Sequence, residues 1–147
     1  MGEPTRIFTL AEANELVPTL QLEFGRVARL RDELRRLVEA MGGADASVDV
    51  LQNGARPPPG REDEAVRLRA VADEIAAAVE RVTELGCLVK DLDLGLVDFY
   101  AMMEDEPVLL CWQFGEPQVT HWHGVEEGYG GRRPIDGVEV ELPEFLN

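Results

Sequence analysis

The sequence predicts an α+β protein: a long antiparallel helical hairpin followed by a small antiparallel β-sheet of three to five strands. Three observations carry this. Apolar residues recur at helical spacing through the first half of the chain, the period changes after Gly86, and the second half is broken into short apolar runs by Gly, Pro and acidic clusters. A length of 147 residues with 45% hydrophobic residues suits a single domain over 1–147. The hairpin is expected over 9–85 with a loop at 42–60. The sheet region is expected over 86–147, with a glycine-rich loop at 124–134.

The first helix opens on Thr9-Leu10-Ala11-Glu12, a hydroxyl followed three residues later by a carboxylate, which is capping-box spacing. Ala13, Val17, Leu20, Phe24, Val27, Leu30, Leu34, Leu37 and Met41 then follow in steps of three and four. Pro18 lies inside the pattern and is expected to kink or restart the helix near Val17. Gly42-Gly43 ends it. The segment 42–60, with Gly54, Pro57-Pro58-Pro59 and Gly60, reads as a surface loop. The second helix is expected from Arg61 to Leu85, striped by Leu68, Ala72, Ile75, Val79 and Val82. Glu62, Asp63 and Glu64 favour its N-terminal dipole, and Gly86 follows its end. Facing apolar stripes of this length invite pairing between chains, so a homodimer through the helices is expected. The alternative is that the second half of the same chain covers them.

Beyond Gly86, Cys87–Lys90 opens an apolar run, and Leu96–Met102 has strand composition. Glu104-Asp105-Glu106-Pro107 is a turn signal. Val108–Phe114 is apolar on both faces, as in a central strand. Gly115-Glu116-Pro117 turns the chain into a further strand, Gln118–His123, and Val138, Val140 and Leu142 alternate with acids in a last one.

The formal net charge of −15 argues against nucleic acid and anionic membranes as partners. Over half of the excess lies in residues 86–131, where Lys90 stands alone against nine acids, so a cation would be drawn there. No apolar run reaches the length of a membrane helix, no signal peptide opens the sequence, and two cysteines make no disulfide framework, so a cytoplasmic location is expected. The mixed charges around Arg26, Arg29, Arg35 and Arg36 read as a solvated helix face rather than an anion patch.

Several motifs together resemble a known family. They are Phe8-Thr9-Leu10-Ala11-Glu12-Ala13-Asn14, Lys90-Asp91-Leu92, Gly95-Leu96-Val97-Asp98-Phe99, Leu110–Pro117, His121-Trp122-His123, Gly128-Tyr129-Gly130-Gly131-Arg132 and Pro134-Ile135. The chain resembles, over nearly its whole length, the uncharacterised prokaryotic family catalogued as domain of unknown function 2203. That resemblance implies no activity.

The residues themselves point to one region. His121 and His123 are two apart on an expected strand and so share a face, where two imidazoles can converge on a divalent metal such as zinc. If Gly115-Glu116-Pro117 is a three-residue hairpin loop, Phe114 pairs with Gln118 and Cys111 lies across from His121; a two-residue loop places Trp112 there instead. Asp91, Asp93, Asp98 and Glu116 are carboxylate candidates for ligand or general base. The candidate metal set is His121, His123, Cys111 and Asp98, against a reading in which the histidines are ordinary sheet residues and Cys111 a small hydrophobe. Asp98 is a catalytic candidate or a buried, paired carboxylate. Tyr129, Gly130, Gly131 and Arg132 are ligand-binding candidates, with Arg132 as anion clamp, or else an ordered loop whose Arg132 or Arg133 pairs a sheet carboxylate. Ser47 is the only serine and has no nucleophile motif around it. The leading expectation is a cytoplasmic, homodimeric interaction or assembly protein without catalysis. The alternatives are a metal-dependent, hydrolase-like enzyme or a small-ligand-binding protein using the His-Trp-His strand and the glycine-arginine loop.

Overall fold

The computed structural model describes residues 6–135 and has the expected α+β arrangement. Three helices, α1 (Leu10–Met41), α2 (Ala44–Gln52) and α3 (Glu62–Glu84), precede five strands: β1 (Leu88–Asp91), β2 (Leu96–Met103), β3 (Glu106–Gln113), β4 (His121–Gly124) and β5 (Arg133–Pro134). The expected strand over 138–142 lies outside the described residues. Among the described residues no helix is long and apolar enough to cross a membrane.

The described residues divide into two compact units, one formed by residues 6–24 and 81–135 and the other by 25–80. In the 25–80 unit, Leu30, Leu37, Met41, Val50, Ala65, Leu68 and Val71 form one apolar cluster. Arg67 makes a two-pronged contact with Glu33, at 2.6 and 2.8 Å. Gly42 and Gly43 both have positive φ, and Gly43 N–H donates to the Val38 carbonyl, so the glycine pair closes α1 as expected. The segment 42–60 is not wholly a loop: it contains α2, whose Ser47 and Val50 are buried. Nine residues are too short for a period to stand out between a glycine pair and a proline run.

In the other unit α1 begins as predicted. Thr9 N–H donates to Glu12 Oε1 at 2.8 Å, and Glu12 N–H donates to Thr9 Oγ1 at 3.0 Å, a reciprocal capping box. The helix does not restart at Pro18; it runs unbroken to Met41. Ala13, Val17, Leu20 and Phe24 pack with Val82 of α3 against Val97, Phe99, Ala101, Leu110 and Trp112 of the sheet. The apolar stripes that motivated self-association are therefore covered within the chain, by the sheet in one unit and by the helices in the other.

The sheet is an antiparallel meander in the order β1-β2-β3-β4-β5. Glu104 and Asp105, both at positive φ (50° and 67°), form the tight turn between β2 and β3, a geometry matched to strand twist. Pairing runs Asp98↔Cys111 between β2 and β3 and Cys111↔His121 between β3 and β4. That is the register of the three-residue-loop reading. The connection itself is longer: β4 starts at His121, not Gln118, and Val119 N–H donates to Asn14 Oδ1 of α1 instead of to a neighbouring strand. Because side chains alternate, Val97, Phe99, Leu110 and Trp112 enter the core while Asp98, Cys111, His121 and His123 share the opposite face.

Candidate metal centre

On that opposite face three predicted residues come together. One ligand atom each from Asp98, Cys111 and His123 lies within 4.8 Å of the others, and all three residues are buried. Each arrives from a different strand, β2, β3 and β4: Asp98 pairs with Cys111, and His123 lies two residues beyond His121, the β4 partner of Cys111. His123 Nε2 lies 3.1 Å from Asp98 Oδ2, and both side chains are 3% exposed. His123 Nδ1 lies 2.9 Å from the Gly124 carbonyl oxygen.

Those two contacts constrain the imidazole. A carbonyl oxygen only accepts, so Nδ1 carries a hydrogen and donates to Gly124. Nε2 then presents its lone pair to a carboxylate oxygen, another acceptor. Two acceptors at 3.1 Å in a buried setting need a cation between or beside them, either a proton or a metal ion. An Nδ1–H anchored on a backbone carbonyl is also the usual outer-shell support of a histidine that ligates through Nε2.

Cys111 does not read as a nucleophile. Burial, reinforced by the adjacent Asp98 carboxylate and opposed by Arg132, pushes its thiol up to about 12, whereas a thiol nucleophile needs the thiolate near neutral pH. A bound metal ion deprotonates a coordinating thiol outright, so the same burial is compatible with a ligand.

His121 stays outside the group of three. Its Nδ1 is 2.9 Å from Thr120 Oγ1 and 3.9 Å from Glu116 Oε2. The expected convergence of the two imidazoles is corrected in this respect: they share a face, but Asp98 and Cys111, not His121, are the neighbours of His123 Nε2. The side chains of Asp98, on β2, and His123, on β4, reach each other across the intervening β3, while His121 Nδ1 is taken up by Thr120.

The other candidates are occupied. Glu116 Oε1 accepts from Gln113 N–H at 2.7 Å and from Arg132 Nη2 at 2.8 Å. Arg132 lies over the Tyr129 ring, 5.1 Å from its centroid, and Tyr129 donates its hydroxyl to Gln113 Oε1. Arg132 thus serves the loop between β3 and β4, and Asp98 pairs with His123 instead of with a loop arginine. Arg133 pairs with Glu127 at 2.7 Å. The Gly124 N–H holds the Glu127 carboxyl below the ordinary carboxylate range; partial burial opposes this, and Arg133 adds to the lowering.

A cavity of about 260 Å³ opens in front of the cluster, lined by Asp98, Cys111 and His123 together with Lys90, Asp91, Leu96, Glu127, Gly128 and Tyr129. Gly130 and Gly131 are not in its wall. Lys90, Leu96, Glu127 and Gly128 are site residues that the sequence did not single out. For Lys90 the available signal was compositional: it is the only lysine, beside thirteen arginines.

Fold and site together define an α+β protein that presents a buried Asp-Cys-His triplet on the open face of a meander. The family model described as "Uncharacterized conserved protein (DUF2203)" matches residues 6–135, and the chain belongs to that family. No curated protein and no solved structure matches it.

Proposed function

We propose that this protein is a metal-dependent enzyme of hydrolytic type, holding a divalent ion such as zinc through Asp98, Cys111 and His123. One observation carries the reading. His123, fixed by the Gly124 carbonyl, aims Nε2 at the Asp98 carboxylate beside a buried thiol. Oxygen, nitrogen and sulfur donors of these types bind zinc at about 2.0–2.3 Å, which sets donors in a tetrahedral site roughly 3.3–3.8 Å apart. Three protein donors leave a fourth position, and catalytic zinc sites keep such a position for water or substrate. The cavity lined by the three residues would give a fourth ligand room to enter. Metal-bound water is the nucleophile such a site supplies, and hydrolysis divides that water between the two products.

The test is calorimetric titration of the tag-free, metal-free full chain with zinc. One equivalent should bind. Asp98→Asn, Cys111→Ser and His123→Ala should each weaken binding by roughly hundredfold or more, since even outer-shell losses cost about 10–100-fold. His121→Ala should bind as the wild type does. Absence of one-to-one binding, or equal loss in His121→Ala, defeats the assignment.

A further inference from the structure

The wall of the cavity carries a feature that the metal reading does not use. β1 is an edge strand, and its ladder to β2 slips between Val89 and Asp91. Val89 pairs with Val97 and Asp91 with Leu96, so Lys90 is an extra residue without a cross-strand partner. Strict alternation would send only one of two consecutive residues to a given face. Leu88 pairs with Asp98, so alternation already puts Lys90 on the site's face; the slip brings Asp91, paired with Leu96, there as well, and both line the cavity. Bulges beside sites commonly re-aim a side chain in this way.

Lys90 supplies a positive charge to the cavity wall. Asp98 and a Cys111 thiolate would cancel a divalent ion, leaving a metal centre with no net attraction for an anion. Arg132 pairs with Glu116 and Arg133 with Glu127, and neither is among the residues that line the cavity. Asp91 Oδ1 accepts the Leu94 N–H of the adjoining turn. Among the described residues that line the cavity, Lys90 is the one Lys or Arg. An ammonium on a flexible four-carbon stem suits a single oxyanion.

We propose that the ligand entering this cavity is a small molecule bearing a carboxylate or phosphate oxyanion, whose charge Lys90 holds while one of its oxygen atoms reaches the metal's open position. This rests on the metal reading. The experiment is visible absorption of the cobalt(II)-loaded full chain, titrated with acetate or with inorganic phosphate at constant ionic strength. A sulfur-to-cobalt charge-transfer band should be present. One of the two anions should shift the ligand-field bands saturably, and which one does so distinguishes a carboxylate from a phosphate ligand. Lys90→Gln should weaken that anion roughly tenfold, the loss of about one charge-assisted contact, with the cobalt affinity unchanged. Lys90→Arg should recover part of it. A missing sulfur-to-cobalt band overturns the metal reading and this inference with it. A normal band that neither anion moves, or that moves alike in Lys90→Gln, overturns this inference alone.

Discussion

Single side chains decide the chemistry on the open face of the sheet, and the two cysteines show how differently one residue type can be used. Cys111 lies beside Asp98 and His123. Cys87, in the apolar core, donates its thiol to the Val82 carbonyl, and burial pushes that thiol up to about 11. The native state therefore keeps a proton on Cys87 that the unfolded chain releases above about pH 9. Stability from this group is complete below the unfolded value and is lost as pH rises toward 11. Urea denaturation of metal-free protein across this range should show stability declining with pH, and Cys87→Ala should flatten the decline while lowering stability at neutral pH. An identical slope in the variant would assign the decline to other groups.

Among the elements, the β3–β4 connection holds the most polar structure, and Glu116 is its centre. Its carboxylate takes Gln113 N–H and Arg132, while its carbonyl takes Trp112 Nε1 at 3.0 Å and Gln21 Nε2 at 3.0 Å. Glu116→Gln keeps the shape but leaves the largely buried Arg132 guanidinium without a counter-charge. The expected loss is roughly 2–3 kcal/mol, below the range for fully buried pairs because Glu116 is partly exposed. Denaturant unfolding measures it, and a double variant with Arg132→Ala should cost less than the two single changes summed. Additive losses would mean that the pair is not a unit. The neighbouring β1–β2 turn is constrained differently. Gly95 sits at φ +69° with the Phe114 side chain against the position a Cβ would take, so both conformation and space require glycine there.

For the molecule as a whole, the question is whether the helices have anything left to offer a second copy. Their buried stripes are used inside the chain. Leu22 of α1 and Val66 of α3 are the large apolar helix residues left most open, at 73% and 71% exposure. A homodimer through the helices would have to bury residues of this kind. Sedimentation equilibrium at micromolar concentration checks the dimer proposal: it requires twice 16.3 kDa, reduced to 16.3 kDa by Leu22→Glu with Val66→Glu. A single 16.3 kDa species for the wild type overturns it.

Local signals were readable along the chain because each depends on near neighbours. The Thr9–Glu12 box, the Gly42-Gly43 stop, the long helix periods and the acidic turn at Glu104-Asp105 are contacts or backbone states within five residues. Their partners are adjacent in the chain, so spacing alone specifies them. The short helix α2 escaped, because nine residues carry too little period to read.

The site was legible as a set of candidates and not as a constellation. Asp98, Cys111 and His123 were all on the list, but so was His121, and the choice among them depends on pairings across 13 and 10 residues of chain, Asp98↔Cys111 and Cys111↔His121. Sequence spacing ranks His121 as the nearest neighbour of His123. Side-chain direction across three paired strands brings Asp98 to His123 Nε2 instead, although β3 lies between their strands. The bulge at Lys90, the occupation of Glu116 by Arg132 and the anchoring of His123 on a backbone carbonyl likewise arise only when distant segments meet. The order of residues dictated which elements form and which residue types were present to do chemistry. Assembly of the sheet dictated which three of them share a cation's distance, since register and strand alternation are properties of paired strands and of no single one.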